Sequence, residues 1–163
     1  MKIIDITSKL PFLSSNGTMS KTKIDTIVIH HDAEQRPLFY NSIKRYLNEA
    51  RHHIAQGWNH ISYHYIIDNA GDIYKCLPET EVGYHCGNLA INRKSIAIKF
   101  DGNMEFQKLT NAQIKAYKEL MIFLTTRRPD LTKIVKGSES GHREIKATAC
   151  PGKNITDQFI HSF

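Results

Sequence analysis

Hydrophobic residues along the chain form short apolar runs that are separated by longer stretches with helical spacing. Residues 24–29 are rich in β-branched side chains and end in a continuous apolar run, which predicts a strand buried on both faces. In residues 94–100 large apolar side chains alternate with small or polar ones, and this alternation predicts a central strand. Residues 61–68 and 73–77 flank an Asn-Ala-Gly-Asp turn and predict a β-hairpin.

Two longer stretches carry apolar residues at spacings of three and four, which is the period of one helix face. They predict helices over residues 38–56 and 110–126. His52 and His53 fall late in the first helix, and we expect both at the surface. Strands that alternate with helices of unequal length predict an α/β fold, a single domain with a mixed central β-sheet flanked by helices.

The length of 163 residues fits one domain. Residues 1–22 contain loop signals, so we expect an irregular N-terminal arm before a domain that spans residues 23–163. No apolar run approaches the roughly 20 residues of a membrane span, and the first residues do not resemble a signal-peptide core. We therefore expect synthesis in the cytoplasm.

The formal net charge of +6 favours polyanionic partners or simply solubility, and composition does not separate the two. The positive residues are scattered, so we expect no nucleic-acid partner. Three cysteines, Cys76, Cys86 and Cys150, do not suggest a disulfide framework. Cys76 and Cys86 could pair across a hairpin, but free thiols are favoured in a chain made in the cytoplasm.

Candidate metal ligands stand after the first predicted strand and near the end of the chain. His30 and His31 follow the strand, and His142 and Cys150 lie eight residues apart. Imidazole nitrogen and thiolate sulfur are ligands that zinc prefers, and three protein ligands leave a fourth position for water, as in catalytic sites. Two alternatives stay open: a histidine buried in the core, and a structural zinc site completed by His31 or Cys86.

Five motifs in order carry a resemblance to a known family. They are I-V-I-H-H-D, I-S-Y-H-Y-I-I-D-N-A-G-D-I, G-Y-H-C-G-N, S-I-A-I-K-F-D-G-N and G-H-R-E-I-K-A-T-A-C-P-G, between about Lys23 and Gly152. Together they resemble the zinc-dependent N-acetylmuramoyl-L-alanine amidases of phage lysis and bacterial wall turnover, which are related to the animal peptidoglycan recognition proteins. The resemblance implies their fold and cleavage of the amide bond between N-acetylmuramic acid and L-alanine of the stem peptide.

The resemblance also implies roles for individual residues. It puts His30, His142 and Cys150 on Zn²⁺ and Tyr63 beside the metal. The hydroxyl groups of Tyr63 and Thr148 are then the candidates that stabilise the tetrahedral oxyanion. Because consecutive strand residues point to opposite faces, the histidine that follows His30 would point away from the metal, into a hydrogen bond.

The motifs also contain candidates for substrate contacts and for proton transfer. The resemblance implies that His85 and Asn88 line the rim of the groove, although His85 could equally be structural, and Arg143 is a candidate clamp for a stem-peptide carboxylate. Where many family members carry a glutamate thought to polarise water, this chain has Lys99, so either Lys99 points away or another residue takes that role. Glu144 is the carboxylate nearest in sequence to protonate the leaving amine.

Three other functions remain as alternatives to an amidase. The first is a module of the same fold that binds peptidoglycan without cutting it; such members have lost the cysteine ligand, which this chain keeps as Cys150. The others are a structural zinc protein and a regulatory partner of another enzyme. For the amidase we expect a monomer whose partner is the muramyl peptide of peptidoglycan, and which reaches the wall through a holin pore or from a phage particle.

Overall fold

Six strands and four α-helices are found in the residues that the structure describes, which are 1–35, 37, 40–129, 131, 133–136 and 149–162. In this computed structural model the elements are β1 (Ile3–Asp5), β2 (Thr26–His31), α1 (Ser42–Ala55), β3 (Tyr65–Ile67), β4 (Ile73–Lys75), α2 (Leu89–Asn92), β5 (Ser95–Phe100), α3 (Asn111–Arg127), β6 (Lys133–Lys136) and α4 (Asp157–Ile160).

The strands form one mixed sheet in the order β1-β4-β3-β5-β2-β6. β2 pairs in parallel with both β5 and β6, and β3 pairs in parallel with β5. β3 and β4 form the predicted antiparallel hairpin. The predicted α/β fold with a mixed central sheet and flanking helices is therefore confirmed, and β5 is central as expected.

The two faces of the sheet carry different partners. Side chains alternate along a strand, so Ile27 and Ile29 of β2 point to one face together with Ile96 and Ile98 of β5, where they pack with α3 in the larger hydrophobic cluster. On the opposite face Ile66 packs in a second cluster with residues of α1. Thr26, Val28 and His30 point to this second face, and so do Ser95, Ala97 and Lys99.

Both long helices begin at capped residues inside the predicted ranges. The side chain of Asn41 accepts a hydrogen bond from the Lys44 amide at the start of α1. Thr110 and Gln113 form a reciprocal capping box at the start of α3. The expectation that His53 lies at the surface is wrong: its side chain is 9% exposed and packs 4.7 Å from the Trp58 ring, measured between ring centroids.

The N-terminal segment is more regular than the predicted irregular arm. β1 pairs in parallel with β4, and Ile6 and Leu10 are buried in the second hydrophobic cluster. Isolated bridges join Phe12 to His60 and Thr18 to Glu81. These contacts correct the expectation of irregular structure over residues 1–22, while the division of the chain at residue 22 stays a prediction.

The structure also describes the three cysteines and the helices, for which the sequence predicted free thiols and no membrane span. Cys76, Cys86 and Cys150 are thiols that form no disulfide among the described residues, as expected. Within the part of the chain that the structure describes, no helix combines the length and the apolar character needed to cross a bilayer.

Candidate metal centre and adjoining cleft

His30 lies near the carboxyl end of β2, one residue beyond the last pair that β2 forms with β6. It stands opposite Lys99 in the register with β5, and its side chain is 3% exposed. The neighbouring His31 points to the other face, where its Nδ1 accepts a hydrogen bond from the Met104 amide at 3.0 Å. The predicted divergence of the two histidines is therefore confirmed, and His31 is held in a hydrogen bond as expected.

Cys150 is brought to His30 from 120 residues further along the chain. Its Sγ lies 3.4 Å from His30 Nδ1. Two ligands of one tetrahedral zinc ion, with a Zn–S bond of about 2.3 Å and a Zn–N bond of about 2.0–2.1 Å, stand roughly 3.5 Å apart. The two donor atoms therefore have both the chemistry and the separation that fit zinc.

Burial shapes the protonation of the Cys150 thiol. Removal from water disfavours the thiolate and raises the pKa of Cys150 to about 11, although the His31 backbone amide acts in the opposite direction. Without a cation the side chain is therefore a neutral thiol at pH 7. A metal ligand must be a thiolate, so binding of a divalent cation here releases a proton.

The turn that carries Cys150 is anchored to the loop after β5. Gly152 has φ +90°, and a Cβ at this position would overlap the backbone of Met104 and Glu105. The Asn154 amide donates to the Met104 carbonyl at 3.0 Å. Gly152 thus holds the turn after the cysteine by close backbone packing that only glycine permits.

His85 approaches His30 from the loop that precedes α2. Its Nδ1 lies 3.0 Å from His30 Nε2, and its Nε2 lies 3.0 Å from Ser95 Oγ. A Cβ on Gly83 would overlap the Ser62 carbonyl, so the loop can approach the sheet only because this residue is glycine. The role of His85 in substrate binding stays a prediction, while the structure places it against the candidate ligand.

Tyr63 lies just before β3, with its ring centroid 5.4 Å from that of His30. Burial raises the pKa of the Tyr63 hydroxyl well above its usual value, more than the nearby Lys99 ammonium lowers it. The group is therefore a neutral O–H donor at physiological pH. The adjacent His64 is buried, with Nε2 bonded to the Glu81 carbonyl and Nδ1 accepting from the Ala97 amide.

Lys99 points into a buried cluster of carboxylates beside Tyr63. Its Nζ lies 2.6 Å and 2.7 Å from the two oxygens of Glu49, and 5.2 Å from the centroid of the Tyr63 ring. Burial alone would lower the pKa of Lys99, but Glu49, Asp101 and Asp32 outweigh burial and raise it. Lys99 is therefore a cation, and the carboxylate nearest to this position comes from α1 through Glu49, which the sequence did not indicate.

A cleft of about 640 Å³ opens beside Tyr63 along α1. Its lining carries charges of both signs, from Asp32, Glu34, Lys44, Arg45 and Glu49. Burial lowers the pKa of His53 to about 4, and the Lys99 ammonium acts in the same direction, so His53 is neutral at pH 7. The cleft can therefore take a polar ligand beside Tyr63, whose ring lies next to that of His30.

The remaining predicted site residues fall in two groups. The side chain of Asn88 caps α2 by accepting hydrogen bonds from the Ala90 and Ile91 amides. Its contact with substrate stays a prediction. His142, Arg143, Glu144 and Thr148 lie outside the described residues. Sequence reasoning missed Ser95 and Glu49, because a serine at a strand start and a glutamate on a helix are ordinary there.

Comparison with known proteins identifies the family. A family model described as N-acetylmuramoyl-L-alanine amidase matches residues 20–153. Peptidoglycan-recognition protein SC2 of Drosophila simulans is 33% identical over 164 residues, covering 95% of this chain and 84% of that protein. The SC2 protein of Drosophila melanogaster is 37% identical over 111 residues, covering 68% of this chain and 57% of that protein. The chain belongs to the N-acetylmuramoyl-L-alanine amidase family.

Solved structures support the same fold. The chain is similar to N-acetylmuramoyl-L-alanine amidase LysC from Clostridium intestinale URNW, with a TM-score of 0.76 at 23% identity over 99% of this chain and 96% of that one. It is also similar to peptidoglycan recognition protein-LE in complex with tracheal cytotoxin, with a TM-score of 0.82 at 20% identity over 99% of this chain and 93% of that one. The shared fold thus includes an amidase and a recognition protein.

Proposed function

We propose that this protein is a zinc-dependent amidase that hydrolyses the bond between the lactyl group of N-acetylmuramic acid and L-alanine of the peptidoglycan stem peptide. The observation that carries the proposal is the approach of His30 Nδ1 and Cys150 Sγ to 3.4 Å, with the His30 ring 5.4 Å from the ring of Tyr63, a residue that lines the cleft. A family match to N-acetylmuramoyl-L-alanine amidases supports the choice of bond.

His30 and Cys150 would hold the metal together with His142, the ligand that the sequence motif supplies. Three protein ligands leave one coordination position for solvent, as catalytic zinc sites require. When bound, zinc supplies Lewis-acid activation of a water molecule and of the amide carbonyl. The chain itself contributes a fixed imidazole on β2 and a thiol on a turn packed against Met104.

Tyr63 would act on the carbonyl oxygen of the substrate. Its hydroxyl is kept protonated by burial, its ring lies 5.4 Å from that of His30, and the residue lines the cleft. A hydrogen bond donated at the position where negative charge develops stabilises the tetrahedral state more than the substrate. Thr148 is the proposed second donor, from the sequence motif.

The cleft would hold the glycan and stem peptide. Its charges of both signs suit a peptide that carries free carboxylates and amino groups. One protein of the same fold was solved with tracheal cytotoxin, a monomeric diaminopimelic acid-type peptidoglycan. We propose a muramyl peptide as the substrate on these grounds.

Digestion of purified peptidoglycan tests the proposal. The zinc-loaded protein should release stem peptides with new L-alanine amino termini, lose this activity with a chelator and regain it with zinc. Cys150→Ser should abolish release while the protein stays folded. Cys86→Ser is the matched control, because the Cys86 thiol donates to Asn92 Oδ1 at 2.9 Å and is not one of the proposed ligands. Failure of the wild-type protein to release any new amino terminus would exclude the amidase.

A recognition module is the second candidate, because the curated relatives are named as peptidoglycan-recognition proteins. Sedimentation with insoluble peptidoglycan separates the two functions. A module that only recognises the wall would bind with unchanged affinity after chelation and would release nothing. An amidase should release product, and its Cys150→Ser variant should still bind the wall.

A further inference from the structure

A chain of hydrogen bonds links His30 to the interior of the protein. His30 Nε2 lies 3.0 Å from His85 Nδ1, and His85 Nε2 lies 3.0 Å from Ser95 Oγ. Ser95 Oγ donates to the Ile91 carbonyl oxygen at 2.8 Å. At the other end of the chain, His30 Nδ1 faces Cys150 Sγ at 3.4 Å.

These hydrogen bonds form a relay from His30 through His85 to Ser95, and the Ile91 carbonyl oxygen at its end fixes the direction of every bond in it. A carbonyl oxygen can only accept, so the single hydroxyl proton of Ser95 points to Ile91, and Ser95 Oγ must accept from His85 Nε2. A neutral imidazole carries one N–H, so His85 Nδ1 is then an acceptor and His30 Nε2 must be the donor. The proton of His30 is thereby placed on Nε2, and its Nδ1 keeps a lone pair toward Cys150.

We infer that His85 and Ser95 are positioning residues that hold His30 in the Nε2–H tautomer and so present Nδ1 as the metal-binding atom. The inference rests on the zinc site of the proposed function. Neither residue is assigned a contact with the metal or with the scissile bond. A ligating histidine needs an unprotonated nitrogen toward the metal, and the partner of its other nitrogen decides which one that is.

The surroundings of the relay favour a single geometry. Ser95 is fully buried at the start of β5, on the same face of the sheet as His30. The His30 and His85 rings meet at an interplanar angle of 78°, which is compatible with an N–H of one ring pointing at the in-plane lone pair of the other. A relay that ran in the opposite direction would lose the bond to the Ile91 carbonyl and would put a proton on Nδ1, against the thiol.

Nitrogen-15 NMR of the metal-free wild-type protein tests the inference directly. Long-range proton–nitrogen correlations distinguish the two tautomers of each neutral histidine ring. At a fixed pH where both rings are neutral, His30 and His85 should each show a protonated Nε2 and an unprotonated Nδ1. A protonated Nδ1 on His30 in the wild-type protein would overturn the inference, and this measurement needs no variant.

Zinc affinity, measured by competition with a chromogenic chelator, supplies the second readout. Ser95→Ala should weaken zinc binding by about 10–100-fold, the usual effect of removing a hydrogen-bond partner that orients a ligand. Ser95→Thr keeps the hydroxyl and should restore most of the affinity. Ser62→Ala is the matched control, because Ser62 is buried and its hydroxyl has no hydrogen-bond partner in the described part of the chain.

The outcomes separate this inference from the proposed function. Unchanged zinc affinity and an unchanged His30 tautomer in a folded Ser95→Ala variant would refute the relay, whatever the activity of the enzyme. If the wild-type protein shows the expected tautomer and binds zinc but releases no peptide from peptidoglycan, the inference about His85 and Ser95 is supported and the proposed amidase activity is refuted.

Discussion

The ammonium of Lys99 lies 2.6 Å from a carboxylate oxygen of Glu49, and the side chains are only 1% and 14% exposed. The pair joins β5 to α1 beneath the cleft. Asp101 Oδ1 lies 3.6 Å from the same ammonium and has no hydrogen-bond partner among the described residues. Lys99 is therefore needed to neutralise carboxylates that are already buried.

Lys99→Met should lower the free energy of unfolding by about 3–5 kcal/mol, because it leaves buried carboxylates without their counter-ion. Urea denaturation measures the change. Lys44 is exposed on α1, the helix that carries Glu49, and also lines the cleft. Lys44→Met should therefore change the free energy of unfolding by less than about 0.5 kcal/mol. Adding Glu49→Leu to Lys99→Met should recover part of the loss, and a coupling energy near zero in this double-mutant cycle would contradict the interpretation.

Tyr63→Phe should reduce kcat for peptidoglycan hydrolysis by about 10²–10³-fold, because it removes one oxyanion donor. Zinc content should not change, since the hydroxyl is not a predicted ligand. Tyr65→Phe is the matched control: its hydroxyl donates to Glu79 at 2.5 Å, and its ring packs in the cluster on the α3 side of the sheet. Equal kcat values for the two variants would show that Tyr63 contributes by packing and not as an oxyanion donor.

Gly152→Ala should weaken zinc binding, because a methyl group there displaces the turn that carries Cys150. Gly57→Ala separates this effect from backbone strain. Gly57 has nearly the same φ, +88° against +90°, but a Cβ there meets no atom within 4 Å. Gly57→Ala should therefore cost only the strain of the left-handed conformation, about 1–2 kcal/mol, and keep zinc affinity. Equal zinc affinities would show that the turn adjusts without moving the thiol.

Acid should destabilise the fold partly through His64. Burial lowers the pKa of His64 to about 4 from 6.5, and its Nδ1 already accepts from the Ala97 amide, so no lone pair is free for a proton. The folded-state value is depressed, so the stabilisation is present above pH 6.5 and is lost as pH falls through about 4. Across this window the free energy of unfolding should fall by about 3 kcal/mol from this group.

Urea denaturation at several pH values checks the acid effect. His64→Gln should flatten the dependence between pH 6.5 and 4, while His52→Gln, at an exposed position, should leave it unchanged. An NMR titration of the wild-type protein gives the pKa of His64 directly if the variant does not fold. A His64 pKa near 6.5 would contradict the prediction.

Elements with a strong hydrophobic period could be predicted from the sequence. β2, β5 and α3 each carry enough apolar residues on a regular period to specify their type and burial. β1 could not be predicted in this way, because three residues at the edge of a sheet owe their conformation to pairing with β4. Its stability is a property of the partner strand and not of the segment.

In the candidate site, too, some residues could be predicted from the sequence and others depend on the tertiary fold. His30 and Cys150 could be proposed because zinc ligands are a small set of residue types and the motifs supplied their order. Glu49 and Ser95 could not, since their roles depend on which face of a helix or strand meets the site. His53 was misplaced because a histidine near a helix end suits the surface equally well, and only the fold puts it against Trp58.

Cys150 is held by a turn that packs through backbone atoms, and it lies in neither of the hydrophobic clusters that the described residues form. Exchange of this single side chain therefore leaves both layers of the domain and the cleft beside α1 in place. For the proposed amidase, one substitution at Cys150 would thus remove hydrolysis and keep peptidoglycan binding, and the reverse substitution would restore hydrolysis.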